Sequence, residues 1–82
     1  MTDEPNNLTR AAWAAEALVV FTARTYCGDH PDDMHRGDLE TAIGDLITDL
    51  LHLACVRGFD ARDLARHAID HFEAERYEEA RR

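Results

Sequence analysis

Gly44 to Asp60 reads GDLITDLLHLACVRGFD, and its spacing decides the fold. Leu46, Ile47, Leu50, Leu51, Leu53 and Ala54 recur at intervals of three and four, which bring side chains back to one side of a helix. With Leu39, Ala42 and Ile43 upstream, the apolar face covers about half the circumference, which is wide for a helix with one neighbour. Gly58 stands where helices end in a left-handed residue. Phe59 can fold back onto the last turn, and Asp60 can cap a further helix. The segment therefore reads as the end of one helix, a tight turn and the start of another: a helical hairpin.

The rest of the chain follows outward from this hairpin. Downstream, Asp60 and Asp63 form a capping-box-like pair, and Leu64, Ala65, Ala68, Ile69 and Phe72 repeat at helical spacing. Upstream, the loop GDHPDDMHRG carries the breakers Gly28, Pro31 and Gly37. It has room for one helical turn from Pro31, and it delivers Asp38 as the cap of the second helix. Asn6 or Asn7 can cap a first helix that breaks at Cys27-Gly28. The expectation is an all-α fold of three helices at about 8–26, 38–57 and 60–78, an N-terminal helix added to a hairpin. They form one domain, 8–82, behind a frayed leader over 1–7. No segment has a strand period, and there is no internal repeat or low-complexity tract.

At 82 residues a monomer buries a modest core. Helix one is apolar almost all round: Trp13, Leu18, Val19, Val20 and Phe21 point in several directions, interrupted by Arg10, Glu16 and Arg24. Such a helix is normally enclosed, and two companions cannot enclose it. The expected assembly is a helical-bundle homodimer of four or six helices, with Trp13, Leu18, Val20, Phe21, Ile47 and Leu51 at the interface. The alternative is a loosely packed three-helix monomer.

Hydrophobic residues make up 45% of the chain and charged residues 32%, the profile of a folded helical domain rather than a disordered one. Nine basic residues, all Arg, stand against 17 acidic ones, for a net charge of −8. This balance disfavours direct nucleic-acid binding and anionic membranes; the natural counterparts are a basic protein surface or metal cations. The start, MTDEPNNLTR, is acidic where a signal peptide is basic and then apolar, and no apolar run reaches bilayer length. Cys27 and Cys55 lack Cys-x-x-Cys spacing, which with the missing signal points to a reducing cytoplasm. Two buried thiols are expected, with a Cys27–Cys55 pairing as the alternative.

Opposite the apolar face of helix two runs the stripe Asp38, Thr41, Asp45, Thr48, Asp49, His52. Asp45 and Asp49 are one turn apart and His52 follows by three, so these three side chains can converge above one patch. Carboxylates suit Mg²⁺, and the imidazole of His52 suits a transition metal. The same residues also read as the ordinary wet side of an amphipathic helix, with no cofactor. On helix three His67 and His71 are one turn apart with Asp63 a turn earlier, a Zn²⁺-compatible spacing. No Glu stands inside that pair, and His71 also reads as a histidine packed at the core edge. His30 and His35 join a site only if their loop folds onto a helix. Ser is absent, so serine nucleophiles are excluded, and neither Cys has a readable base.

The run DLETAIGDLITDLLHLACVRGFDARDL resembles the second half of the MazG-type all-α nucleotide pyrophosphohydrolases. Their metal helix reads Glu-Leu-Gly-Asp, then an apolar helix, then Ala, Gly, apolar, Asp. The matching residues here are Ala42-Ile43-Gly44-Asp45, Leu46 to Ala54, and Gly58-Phe59-Asp60. The resemblance implies an all-α oligomer that binds Mg²⁺ through carboxylates on two helices and cleaves nucleoside triphosphates. Of those carboxylates only Asp45 matches, with Asp49 one turn on. Ala42 replaces the second motif's Glu, and the family's Glu-Glu-x-x-Glu is reduced to Glu16. A scaffold without the catalysis is what those departures imply.

Between Asp29 and Asp49 the acids are Asp29, Asp32, Asp33, Asp38, Glu40, Asp45 and Asp49, with Arg36 as the one strong base. A rigid helical surface of spaced carboxylates can occupy a basic groove on another protein, as small phage-encoded inhibitors do, with fast, salt-dependent steering. A solubilising patch has the same composition. The leading expectation is a small, acidic, non-enzymatic protein that self-associates and binds a basic partner through Asp32, Asp33, Asp38, Asp45 and Asp49. A MazG-like Mg²⁺-dependent pyrophosphohydrolase using Asp45 and Asp49, with Glu16 or Glu40, is the enzymatic alternative, and a purely structural subunit is the third.

Overall fold

Asn6 sets the start of the first helix. Its side chain accepts the Thr9 N–H at 2.8 Å and the Thr9 hydroxyl at 3.0 Å, satisfying a donor that the first helical turn leaves free. The computed structural model describes residues 5–81. Most of the expected leader, Met1 to Glu4, lies outside the described residues, and Asn7 already belongs to the helix. Helix α1 runs Asn7–Thr25 and closes with the Tyr26 N–H on the Thr22 carbonyl. The chain reverses through Cys27 at φ 54° and Gly28 at φ 85°, both left-handed.

The single turn expected at Pro31 is a 3₁₀ turn, Pro31–Asp33, in which the His30 Nδ1 accepts the Asp32 N–H at 3.1 Å. Helix α2 then runs Arg36–Val56, three residues longer at its start than Asp38 as cap requires. His35 holds the cap position without a side-chain bond, and its carbonyl takes the Leu39 N–H at 2.9 Å. Asp38 instead lies in the first turn, where its charge still complements the helix dipole.

Gly58 closes α2 as expected. At φ 83° it donates its N–H to Cys55, while the Phe59 N–H reaches back to Ala54 at 2.9 Å, the paired bonds of a Schellman end. The Phe59 ring itself remains 63% exposed. Asp60 accepts the Asp63 N–H at 3.0 Å and opens α3, Ala61–Ala80. Only half of a capping box forms, because the Asp63 carboxylate turns to Arg66. The described residues contain these three α-helices and no strand, so the fold is all-α.

The helices join near three places. Tyr26, at the end of α1, bonds Asp45 on α2. At the other end of α1 the Asn7 N–H donates to Glu79 at 2.7 Å, the Asn7 amide to the Glu75 carbonyl at 3.3 Å, and Arg10 pairs with Glu75 at 2.9 Å, all on α3. The Gly58 turn joins α2 to α3. Along α2, α3 and α1 these junctions lie roughly 16, 27 and 28 Å apart, which describes an open triangle rather than a close-packed bundle. Its radius of gyration is 14.6 Å, against about 12 Å for a compact domain of this length.

Burial is correspondingly slight. Leu18, Thr22, Pro31, Ala42 and Ala54 are buried, and Leu18 is the one large aliphatic among them. No residue of α3 is buried. The thiols expected inside are outside: Cys27 rides the exposed reversal, and Cys55 is turned about 100° around α2 from the buried Ala54. His71, read as a core-edge residue, is exposed as well.

Gly58→Ala forces a Cβ into the left-handed region and should lower stability by about 1–2 kcal/mol. Since a Cβ there meets nothing within 4 Å, the loss reports backbone strain alone. Urea unfolding followed by far-ultraviolet circular dichroism measures it.

Candidate functional site

The five acids read as a contact surface come from two consecutive elements. Asp32 and Asp33 belong to the 3₁₀ turn; Asp38, Asp45 and Asp49 lie on one side of α2, within about 40° of one another around the helix axis. All five are exposed, Asp32 to 88% of its side chain. The 3₁₀ turn is held against the rest of the chain through the buried Pro31, which sets its two acids beside the start of α2. Along the same side, Thr41 and Thr48 donate their hydroxyls to the carbonyls of Gly37 and Gly44, so they offer a ligand acceptor lone pairs rather than free donors.

Asp45 differs from the other four. Its carboxylate accepts the Tyr26 hydroxyl, tying the acidic side of α2 to the end of α1. That hydrogen bond raises the Tyr26 phenol above its ordinary 10.0, helped by desolvation and by the charges of Asp45 and Asp38. Tyr26 carries no signal in the sequence that marks it for this role. An aromatic two residues before a glycine reads as a helix end, and its partner is 19 positions away.

The metal candidates do not gather. Among the described residues no three His, Cys, Asp or Glu side chains are grouped to hold a metal ion, and this includes Asp45, Asp49 and His52. On α3, His67 approaches the Asp63 carboxylate at 3.7 Å while that carboxylate is engaged by Arg66, and His71 stands apart on the surface. His30 spends its Nδ1 accepting a backbone N–H, which leaves it capping its own turn. Ala42, where the resembled motif carries Glu, is fully buried.

The second surface is apolar. Ile43, Ile47 and Leu50 form a stripe along α2, exposed to 46%, 54% and 53%, continuous with the buried Ala54 one turn on. Of the expected interface residues, Trp13, Val20 and Ile47 are exposed and Phe21 and Leu51 half-buried, while Leu18 is buried within the chain's own fold. Near its C-terminus α3 covers its own aromatics with guanidinium groups: Arg76 lies 5.8 Å from the Phe72 ring and Arg81 5.3 Å from Tyr77. None of the described helices is long and apolar enough to cross a membrane.

No family model, curated protein or solved structure matches the chain.

The Tyr26–Asp45 tie has a definite pH signature. A phenol whose folded value lies above its unfolded one contributes stability fully below pH 10.0, and loses it as pH climbs through the raised value. Tyr26→Phe should therefore melt lower than the parent at neutral pH, with the difference vanishing in strong alkali. In a Tyr77→Phe background the tyrosinate absorbance of Tyr26 should titrate above that of free tyrosine. An ordinary titration would mean that Asp45 does not hold the phenol.

Proposed function

We propose that this chain is a non-enzymatic protein that works by association: with copies of itself through its apolar surface, and with a basic protein through Asp32, Asp33, Asp38, Asp45 and Asp49. The observation that carries the reading is the accessible surface of 7064 Å². A compact monomer of this mass exposes about 5,000 Å². Large apolar side chains contribute to that surface, among them Trp13, Val20, Ile47, Leu50 and Phe72, each more than half exposed, which water penalises and a protein partner would cover.

The acids support the second half of the reading by their placement. Four of the five make no bond to another element, and the fifth is held by a tyrosine rather than by a cation. Like charges one turn apart, as at Asp45 and Asp49, repel slightly within the free protein. A guanidinium- or ammonium-rich surface would relieve that repulsion and would be drawn in at long range. The reading places this protein at home in a reducing cytoplasm, with both thiols free. No feature of the geometry favours the Mg²⁺-dependent pyrophosphohydrolase over this reading. That alternative needs Asp45 and Asp49 to bind Mg²⁺ and predicts a melting midpoint that rises with Mg²⁺ and stops rising in Asp49→Asn.

The test reverses charge without touching the Tyr26 tie. Asp32→Lys, Asp33→Lys, Asp38→Lys and Asp49→Lys together should leave the circular dichroism spectrum unchanged. Capture of basic proteins from a cell extract by the parent should weaken steeply with salt, and the quadruple variant should lose it. Equal capture by parent and variant would sink the acidic contact surface.

A further inference from the structure

Past Ala65, every residue of α3 is exposed except Glu75 and Glu79, which are half-buried. Both are acids, and both meet the start of α1. The Glu79 carboxylate takes the Asn7 N–H at 2.7 Å, the Glu75 carboxylate takes Arg10 at 2.9 Å, and the Glu75 carbonyl takes the Asn7 amide at 3.3 Å. No apolar packing accompanies these bonds. No residue of α3 is buried, and beside the bonds lies an open cleft of about 450 Å³ lined by Asn7, Arg10, Ala11, Phe72, Glu75 and Arg76. From this we infer that α3 is a hinged arm. It pivots at the Gly58 turn, and a charge latch, Glu75 and Glu79 on Arg10 and the first turn of α1, holds its far end and releases it as ionic strength rises. The inference is independent of the association proposed above.

The other end of the arm is built to turn. Helix α2 closes with its own bonds, from Gly58 to Cys55 and from Phe59 to Ala54, while α3 opens with its own cap, Asp60 on Asp63. Among the described residues no hydrogen bond or ion pair joins α3 to α2. Gly58, at φ 83°, has the backbone freedom of a residue without a Cβ, nothing lies within 4 Å of where a Cβ would be, and the exposed Phe59 ring does not cover the turn. Salt acts selectively on the latch. An exposed ion pair and a carboxylate at a helix N-terminus are both screened, over a length that falls from about 30 Å at 0.01 M to about 3 Å at 1 M ionic strength. The general effect of salt on a chain of net charge −8 runs the other way, since screening self-repulsion favours a closer arrangement. Opening on added salt is therefore a signature of the latch and not of the overall charge.

Distances between paired spin labels test the inference. In a Cys27→Ser, Cys55→Ser background, labels go on Ala12→Cys of α1 and Ala74→Cys of α3, both exposed sites. The labelled protein is diluted into a large excess of unlabelled protein, so that each distance is read within one chain. A swing of about 30° carries Ala74, roughly 21 Å along α3 from the turn, by about 10 Å. The distance should be short and narrowly distributed at low salt, then lengthen by that order and broaden as salt rises. Glu75→Gln with Glu79→Gln keeps hydrogen-bond acceptors but removes the charge, and should give the long, broad distribution at every salt concentration. A control pair on Ala23→Cys of α1 and Thr48→Cys of α2 should hold its distance throughout. Far-ultraviolet circular dichroism should show helix content unchanged on opening. An Ala12–Ala74 distance that stays short in the double variant would overturn the latch. A loss of helix content on release would overturn the arm, because α3 would then be melting rather than turning.

Discussion

Helices that meet at a few small junctions satisfy their own backbones without burying much of themselves. That shortage of burial is the constraint on which the rest of this molecule depends. Hydrogen bonds along α1, α2 and α3 are internal to each helix, so the elements can be specified by caps and propensity one at a time. What holds them together is a small set of junctions, whose buried members are mostly small residues: Thr22, Ala42 and Ala54 beside Leu18. Small side chains let backbones approach, but each removes little apolar area from water. The large aliphatic residues that would ordinarily supply the core are displayed instead.

Polar contacts compensate at two junctions in different ways. Where α1 begins, Glu79 takes the backbone N–H of Asn7, putting a carboxylate at the positive end of a helix, and the Arg10–Glu75 pair lies alongside. Where α1 ends, the tie is a neutral phenol on a carboxylate, with Asp38 on the same side. Both depend on acids, so a chain with this excess of negative charge uses part of it for cohesion. The remaining acids on the 3₁₀ turn and α2 take no part in that cohesion.

Secondary structure was legible because its signals are local. Asn6, Gly58 and Asp60 each act within four residues of themselves, and each does what its type and position announce. Helix α2 began early because the expected break at Gly37 competes with a helix already nucleated through His35, and one glycine does not outweigh it. Burial was legible only in part. The apolar face of α2 was readable from its period, but period cannot say how much of a wide face its own chain will cover, which is why Ala42 and Ala54 are inside while Ile47 and Leu50 are not. The thiols were misplaced for the same reason: cysteine is usually buried, and this molecule has too little interior for the usual preference to operate. Tyr26 with Asp45, and Asn7 with Glu79, pair residues far apart in sequence, and nothing local announces either.

The arginines on α3 bear on how its exposed rings meet their surroundings. Arg76 over Phe72 and Arg81 over Tyr77 set flat, weakly hydrated cations on one face of rings that stay 57% and 62% exposed. A cation lying on an aromatic face lowers the apolar character that this end of α3 offers to a neighbour, without removing the ring from water.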